Sequence, residues 1–329
     1  MTCWISSLRS KQHKVKNHPR QTLRLAAWNV RTLLDNADRH ERRTAIISRE
    51  LARYDIDIAA LSETRISGNS KFIETGGGYT FYCIGQPDGV ARQGGVGFAV
   101  RTAIASKLVT DPVGISTRLM TLELCLPHGQ RATLLSVYAP TMLATDDAKE
   151  NFYTQLDNTI SAVPYKHKLF ILGDFNARVG RDFNVWKGIL GRHGVGSENA
   201  NGSLLLETCA KHELAVTNTV FQQANKYKTT WMHPRSKHWH MLDYVLTRQR
   251  DLKDVRLTRV MRGTSSWSDH RLVRCAVFLT VCRPHRRQRK LRVKKFDVSA
   301  LKNPQVQLRL QQELDAKLSD WDDTPGSYS

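Results

Sequence analysis

The chain has 329 residues, 40% of them hydrophobic, which is enough for a full core in one large domain or two ordinary ones. Its 50 Lys and Arg against 30 Asp and Glu give a formal net charge of +20, a balance that speaks against lipid substrates and for a polyanionic partner, because a cationic surface gains from releasing the counterions condensed on nucleic acid. No apolar run approaches the roughly 18 residues of a membrane span, and no Cys/His spacing fits a zinc site.

The charge is unevenly spread. Residues 1–24 hold six Lys or Arg and no acid, and residues 283–295 hold eight and no acid; between them, 33 basic groups face 24 acidic ones. The organisation expected is a basic, disordered leader over 1–22, a folded domain over 23–282, and a basic linker with a helix and short tail over 283–329. Six cysteines without a CxxC pair fit thiols in a reducing compartment. Met1 to Leu8 is too short and too soon followed by charge for a secretory signal, so the expected location is intracellular and nuclear.

In chain order, Leu23 to Trp28 reads as a buried strand. Arg39 to Tyr54 reads as a helix with Ile47, Leu51 and Tyr54 on one face, and Ile56 to Leu61 as a second buried strand. Tyr79 to Ile84, Gly95 to Val100, Leu119 to Leu126 and Ala132 to Tyr138 follow as an antiparallel meander. Phe152, Leu156 and Ile160 mark a helix over Asp146 to Val163, and Leu169 to Leu172 is the next strand. Arg181 to Gly202 is polar and aperiodic, hence a long loop. After a helix over Leu204 to Glu213, strands are expected near Leu214 to Thr217, Thr229 to Met232 (with Trp231 in the core), Met241 to Leu246, Val255 to Val260 and Leu272 to Leu279.

Strand, helix and strand followed by further strands occurs in both halves. The fold class this implies is α/β, a four-layer sandwich of two packed mixed β-sheets flanked by helices. Near the end, Asn303-Pro304 can cap a helix whose Val306, Leu310, Leu314 and Leu318 form one stripe, so 304–321 is a candidate protein-partner face or a docking helix.

Polar clusters follow the apolar runs. Gly173-Asp174-Phe175-Asn176 ends a buried strand, where Asp174 can take a proton from water and the Asn176 amide can donate to a phosphoryl oxygen; alone, the cluster would be an Asx turn. Glu63, in Ser62-Glu63-Thr64, is a plausible anchor for a hard cation such as Mg²⁺. Asp269 can add a second metal-side carboxylate, and His270 can donate to a phosphate oxygen or act as a base, with Asp243 orienting it. Tyr138 and Asn29 complete the set as donors. Each group is unremarkable singly; their joint occurrence at strand ends points to phosphodiester cleavage.

These clusters, from about Leu23 to Thr280, resemble the endonuclease/exonuclease/phosphatase superfamily, with its DNase-like fold. Trp28-Asn29-Val30-Arg31-Thr32-Leu33, Asn199-Ala200-Asn201-Gly202, Met241 to Leu246 and Ser268 to Val273 look most like the endonuclease domains of non-LTR (LINE-type) retrotransposon polyproteins and the craniofacial development proteins derived from them. The resemblance implies Glu63 as principal Mg²⁺ ligand, with Mn²⁺ a possible substitute, Asn29 beside it and Asp269 near. It implies Asp174 and Asn176 positioning or activating water, Tyr138 stabilising charge, and the Asp243–His270 pair polarising the scissile phosphate; whether Asp174 or His270 is the base stays open. Repair enzymes of the superfamily carry an acidic ligand where this chain has Arg31, which shifts the expectation toward the retrotransposon type.

The expected activity is nicking of one DNA strand to leave 3′-hydroxyl and 5′-phosphate ends, with no small-molecule cofactor. Arg31, Arg181, Trp186, Lys187, Arg192, Trp239 and Trp267 are the candidate DNA contacts. The alternatives are a non-catalytic nucleic-acid-binding or scaffold protein, and an abasic-site endonuclease or ribonuclease of the same fold.

Overall fold

A computed structural model describes residues 22–35, 40–283 and 299–319. The expected leader and most of the basic linker lie outside them. Two compact units divide the chain after Pro284.

The first unit opens with β1 (Thr22–Asn29), α1 (Arg43–Arg53) and β2 (Ile58–Ser62), followed by β3 (Asn69–Glu74), β4 (Tyr79–Ile84) and β5 (Val96–Arg101). A single turn, α2 (Thr102–Ala105), leads to β6 (Val113–Ser116), β7 (Leu119–Cys125) and β8 (Arg131–Tyr138). Then come α3 (Asp146–Ala162), β9 (Lys168–Asp174), α4 (Ala200–Lys211), β10 (Leu214–Val216), the short hairpin β11 (Trp231–Met232) and β12 (Trp239–His240), β13 (Asp243–Arg248), β14 (Val255–Met261) and β15 (Leu272–Phe278).

One sheet has the order β14-β15-β1-β2-β5-β4-β3 and the other β10-β13-β9-β8-β7-β6. Both are mixed. β1 and β2 are parallel with α1 as crossover, and β8 and β9 are parallel with α3 as crossover, as parallel neighbours require.

Three apolar layers hold the sandwich. Leu25, Ile58, Phe98, Leu122, Leu134 and Phe170 meet between the sheets. Ile47 and Leu51 of α1 close over Trp28, Leu61 and Phe81 on one outer side. Phe152, Leu156 and Ile160 of α3, with Leu205 and Leu206 of α4, close over Leu135, Leu169 and Ile171 on the other. Consecutive residues such as Leu134 and Leu135 thus enter different layers, which is why these strands read as continuous apolar runs. Each such side chain contributes roughly 1.5–3 kcal/mol by leaving water. Thr145 caps α3 by accepting from the Ala148 N–H at 3.3 Å, and Asp146 and Asp147 face its positive end.

The principal sheet strands expected from sequence form within a few residues of their expected bounds. The expected helix at Leu204 starts earlier, at Ala200. β3, β6 and β12 carry no strong apolar signal: β3 and β6 are edge strands with alternate residues exposed, and β12 has two residues. Arg181 to Asn199 is mostly loop but not structureless, since Ile189 and Leu190 are buried and Val179 bridges Glu198.

In the second unit, α5 (Pro304–Ser319) carries the expected stripe, and Val306, Leu310, Leu314 and Leu318 are all exposed. Among the described residues no helix is long and apolar enough to cross a membrane.

Candidate active site

The strand registers bring the polar clusters to one end of the sandwich. Asn29 is level with Ser62, Tyr138 with Asp174, and Asp174 with Asp243. β1, β2, β8 and β9 therefore end where β13 begins, and His270 arrives just before β15. Together with Arg31, Arg178, Trp231 and the loop Thr141 to Leu143, these groups line a cleft of roughly 620 Å³.

The polar side chains form one network. The Asn29 amide donates to Glu63 Oε1 at 2.8 Å and to Asp174 Oδ2 at 2.9 Å. Asn29 Oδ1 accepts from the Arg31 N–H, which orients the amide with its nitrogen toward both carboxylates. The Tyr138 hydroxyl donates to Glu63 Oε1 at 3.1 Å. His270 Nδ1 bonds Asp243 Oδ2 at 2.9 Å, while Nε2 faces Asp174 Oδ2 at 3.9 Å.

Backbone geometry turns the strand ends inward. Arg31, Glu63, Arg65 and Asn176 have φ of 61°, 55°, 57° and 46°, a left-handed conformation that non-glycine residues seldom adopt and that clusters at functional sites. Asp174 Oδ1 accepts from the Asn176 N–H, so the Asx turn and the site residue are the same feature. The Asn176 amide in turn donates to Ala139 O at 3.0 Å.

Supporting groups came with motifs whose local role was not legible. Asn199 caps α4 by accepting from the N–H groups of Gly202 and Arg178, and Asn201 donates to Pro140 O and Asn176 O, tying both site loops together. A Cβ at Gly202 would lie 1.9 Å from Arg178 O. Ser268 donates to Asn29 O and accepts from the His270 N–H, and Trp28 Nε1 donates to His270 O. Arg118 stacks 5.1 Å from the Tyr138 ring and donates to the Tyr138 carbonyl.

Burial sets the protonation states. It opposes charge on His270, but the Asp243 and Asp174 carboxylates outweigh it and raise the imidazole to about 9. Burial, then the neighbouring Asp243 charge, raises Asp174 to about 7, with His270 pulling it back. Burial, then Glu63 and Asp174, pushes the Tyr138 phenol upward. A proton is thus held on His270 at neutral pH, and Asp174 is matched to proton uptake there.

A stability effect follows. In the folded chain His270 titrates above the ordinary imidazole value of 6.5, so its contribution is fully present below about pH 6.5 and is lost as pH rises through about 9. In metal-free buffer the melting temperature falls between pH 7 and pH 9.5, and His270→Gln flattens that decline. Equal slopes for the two proteins would disprove the assignment.

The model of the endonuclease/exonuclease/phosphatase family matches residues 26–270. The chain belongs to that family. It is 32% identical over 253 residues to craniofacial development protein 2 of Bos taurus, covering 76% of this chain and 40% of that one; it spans about two fifths of the curated relatives it matches. The endonuclease domain of TRAS1, a telomere-specific non-LTR retrotransposon, shares the fold with a TM-score of 0.51 at 17% identity, over 79% of this chain and 99% of that one. So does a 3′ phosphatase, NExo (D146N) from Neisseria, bound to product DNA hairpin, with a TM-score of 0.55 at 20% identity, over 78% and 99%.

Endonuclease/exonuclease/phosphatase enzymes generally use divalent metals, and the donor set here fits a hard cation. Among the described residues Glu63 Oε2 accepts one long hydrogen bond, from Arg65 at 3.4 Å, and Asp269 adds an exposed carboxylate to the cleft. Asp174, Asp243 and His270 also bring ligand atoms within 4.8 Å of one another. That trio is closed by the His270–Asp243 bond and by the hydrogen bonds to both Asp174 oxygens, which leaves the Glu63 and Asp269 carboxylates as the open oxygen donors of the cleft.

The expected DNA contacts divide. Arg31 is exposed and lines the cleft. Trp239, 36% exposed, lies on the hairpin beside it with the Arg271 guanidinium 3.2 Å from its ring centroid. Arg181, Lys187 and Arg192 are exposed outside the cleft lining, Arg192 over the Phe183 ring. Two tryptophans depart from the expectation: Trp186 packs under the α3–α4 layer and donates to Glu198, while Trp267 packs on the α1 layer and donates to the carbonyls of Val30 and Thr32. Both rings serve packing because their loops fold back onto apolar surface. Trp231 errs the other way. Expected in the core, it is half-buried in the cleft wall, donates to Asp269 Oδ2 at 3.0 Å and lies 6.3 Å from the His270 ring. Its strand has two residues, pairs with β12 and bridges His270, so it lies beside the site rather than inside either main sheet.

Proposed function

We propose that the chain is a Mg²⁺-dependent DNA endonuclease of the retrotransposon type that nicks one strand and works in the nucleus. The observation that carries this reading is the meeting of two hydrogen-bonded sets, Asn29–Glu63–Tyr138–Asp174 and His270–Asp243, across a 3.9 Å His270–Asp174 ion pair at one cleft, in a chain of net charge +20. A binding role would not require a buried carboxylate–histidine–carboxylate relay.

The residues divide the work by charge. Glu63 and Asp269 would hold the cation, which supplies Lewis-acid stabilisation of phosphate charge. Asp174 takes the proton of the attacking water, and the Asn176 turn keeps that carboxylate aimed. His270, held protonated by Asp243, donates toward a non-bridging phosphate oxygen. Tyr138 steadies charge on the phosphate or the leaving oxygen. The new bond joins the water oxygen to phosphorus and the bond to O3′ breaks, with O3′ taking a proton, which leaves 3′-hydroxyl and 5′-phosphate ends. Arg31, in the cleft where repair enzymes are expected to carry an acid, favours the retrotransposon type over abasic-site repair.

The deciding experiment compares supercoiled plasmid, an abasic oligonucleotide and poly(A) under Mg²⁺, Mn²⁺ and chelator. The expected result is open-circular plasmid with metal only, with ends that a polymerase can extend. Absence of nicking under both metals would leave the non-catalytic binding reading. Cleavage confined to the abasic oligonucleotide or to poly(A) would replace it by the repair or ribonuclease reading.

A further inference from the structure

The seven-stranded sheet carries a second basic surface on its outer face, behind the cleft end of β1. Leu23, Leu25, Val260, Val273, Cys275 and Val277 point into the layer between the sheets, so Arg24, Arg259 and Arg274 alternate to the outer face. The register of β14 shifts between Val255 and Leu257, and this bulge re-aims Arg256 to the same face, where its guanidinium lies 4.7 Å from the Phe278 ring.

Four arginines thus share one face of three adjacent strands. Arg259 stands directly opposite Arg274, a like-charge pairing that costs stability in a sheet. Arg24 has Asp55 at 2.6 Å, but among the described residues Arg256, Arg259 and Arg274 make no ion pair. Arg259 lies 4.3 Å from the Tyr227 ring, and Arg274 donates to the Tyr54 carbonyl. The Arg256 and Arg259 guanidiniums are thus held against rings with no carboxylate paired to them among the described residues.

Position adds to the case. Arg24 precedes Asn29 by five strand residues, about 17 Å, and Arg274 and Arg259 are level with Ala26, about 10 Å before it, so the arginines run back along the strands from the cleft end. Thr22 pairs with Phe278, so β1 begins and β15 ends beside Arg24 and Arg256.

We propose that the outer face of β14, β15 and β1 is a second nucleic-acid contact surface, gripping the phosphates of a strand not held in the cleft. Guanidinium forks match phosphate oxygens, and rings already covered by arginine leave no platform for bases, so recognition is of the backbone rather than of sequence. The surface does not depend on cleavage at the cleft.

The test uses the full chain with the double variant Arg256→Glu and Arg259→Glu. Binding to long duplex DNA and to single-stranded poly(U) is followed by fluorescence anisotropy across a salt series, and nicking is assayed on a short duplex that fills only the cleft. The expected result is affinity lowered about tenfold for at least one long polymer, a log K against log salt slope shallower by about 2, and short-duplex nicking within twofold of the wild type. Loss on duplex alone or on poly(U) alone supports the surface and names its ligand. The milder Arg256→Gln, Arg259→Gln variant, checked by circular dichroism, shows the same trend at smaller size. Wild-type slope and affinity in both variants overturn the proposal, as does an equal loss of short-duplex nicking. A wild-type chain that binds but never nicks overturns the nuclease reading and leaves the slope comparison to decide this surface.

Discussion

Glu63→Ala and His270→Ala each lower plasmid nicking by about 10³-fold or more while leaving DNA retention in a filter or mobility assay within a few-fold of the wild type. The separation follows from what each side chain touches. Glu63 accepts from Asn29 and Tyr138 through one oxygen and turns the other into the cleft, so its loss removes the cation anchor and frees two donors at once. His270 lies between two buried carboxylates and is held charged by both, so alanine leaves Asp243 and Asp174 facing each other without the intervening cation. Its companion His270→Gln keeps the volume and is the safer probe if alanine lowers the yield of folded protein. Neither residue belongs to the exposed basic surface that carries most of the affinity for DNA. Nicking retained to within tenfold in both variants would rule out the proposed machinery, and loss of DNA retention equal to the loss of nicking would show that the cleft itself supplies most of the binding.

Gly173→Ala is expected to cost about 3 kcal/mol, lowering the melting temperature by roughly 6–10 °C. A Cβ at this position would lie 1.9 Å from the carbonyl oxygen of Val137, in the neighbouring strand β8. β8 and β9 are central strands of their sheet, so neither backbone can move without displacing further strands. Glycine here is a requirement of close approach one residue before Asp174. The same displacement moves Asp174 and Asn176, so nicking at low temperature falls further than the loss of folded protein explains. Gly76→Ala, where nothing lies within 4 Å, is the control and leaves both measurements unchanged. A melting temperature for Gly173→Ala equal to that control would show that the strand pair relaxes freely.

Legibility differs between kinds of residue. Asn29, Glu63, Tyr138, Asp174, Asn176, Asp243, Asp269 and His270 each sit at or beside the end of an apolar run, and the structure brings six of them into one cleft lining with Asn29 and Asp243 buried and bonded behind it. The tryptophans are not legible in this way. Trp186 and Trp267, for which stacking and packing are both open in the sequence, are packing groups with their indole N–H bonds satisfied, whereas Trp231, expected in the core, lines the cleft. An indole has the same local signature in all three settings, and only the surface opposite it differs. Asn199 to Gly202 was visible as a motif, but its work of capping α4 and clamping Pro140 and Asn176 depends on a chain segment about 60 positions away.

The sequence by itself determined the α/β class, the main strands and helices, the basic character and the polar ends of the strands. These follow from periodicity, strand length and residue type, which act over a few neighbouring positions. The tertiary structure alone decided which groups meet. Trp28 braces His270 across 242 positions and Asn29 links Glu63 to Asp174 across the two sheets, while a bulge in β14 aligns Arg256 with Arg259. Pairing register and layer packing set these encounters, and a one-residue change in either would send every side chain to the opposite face.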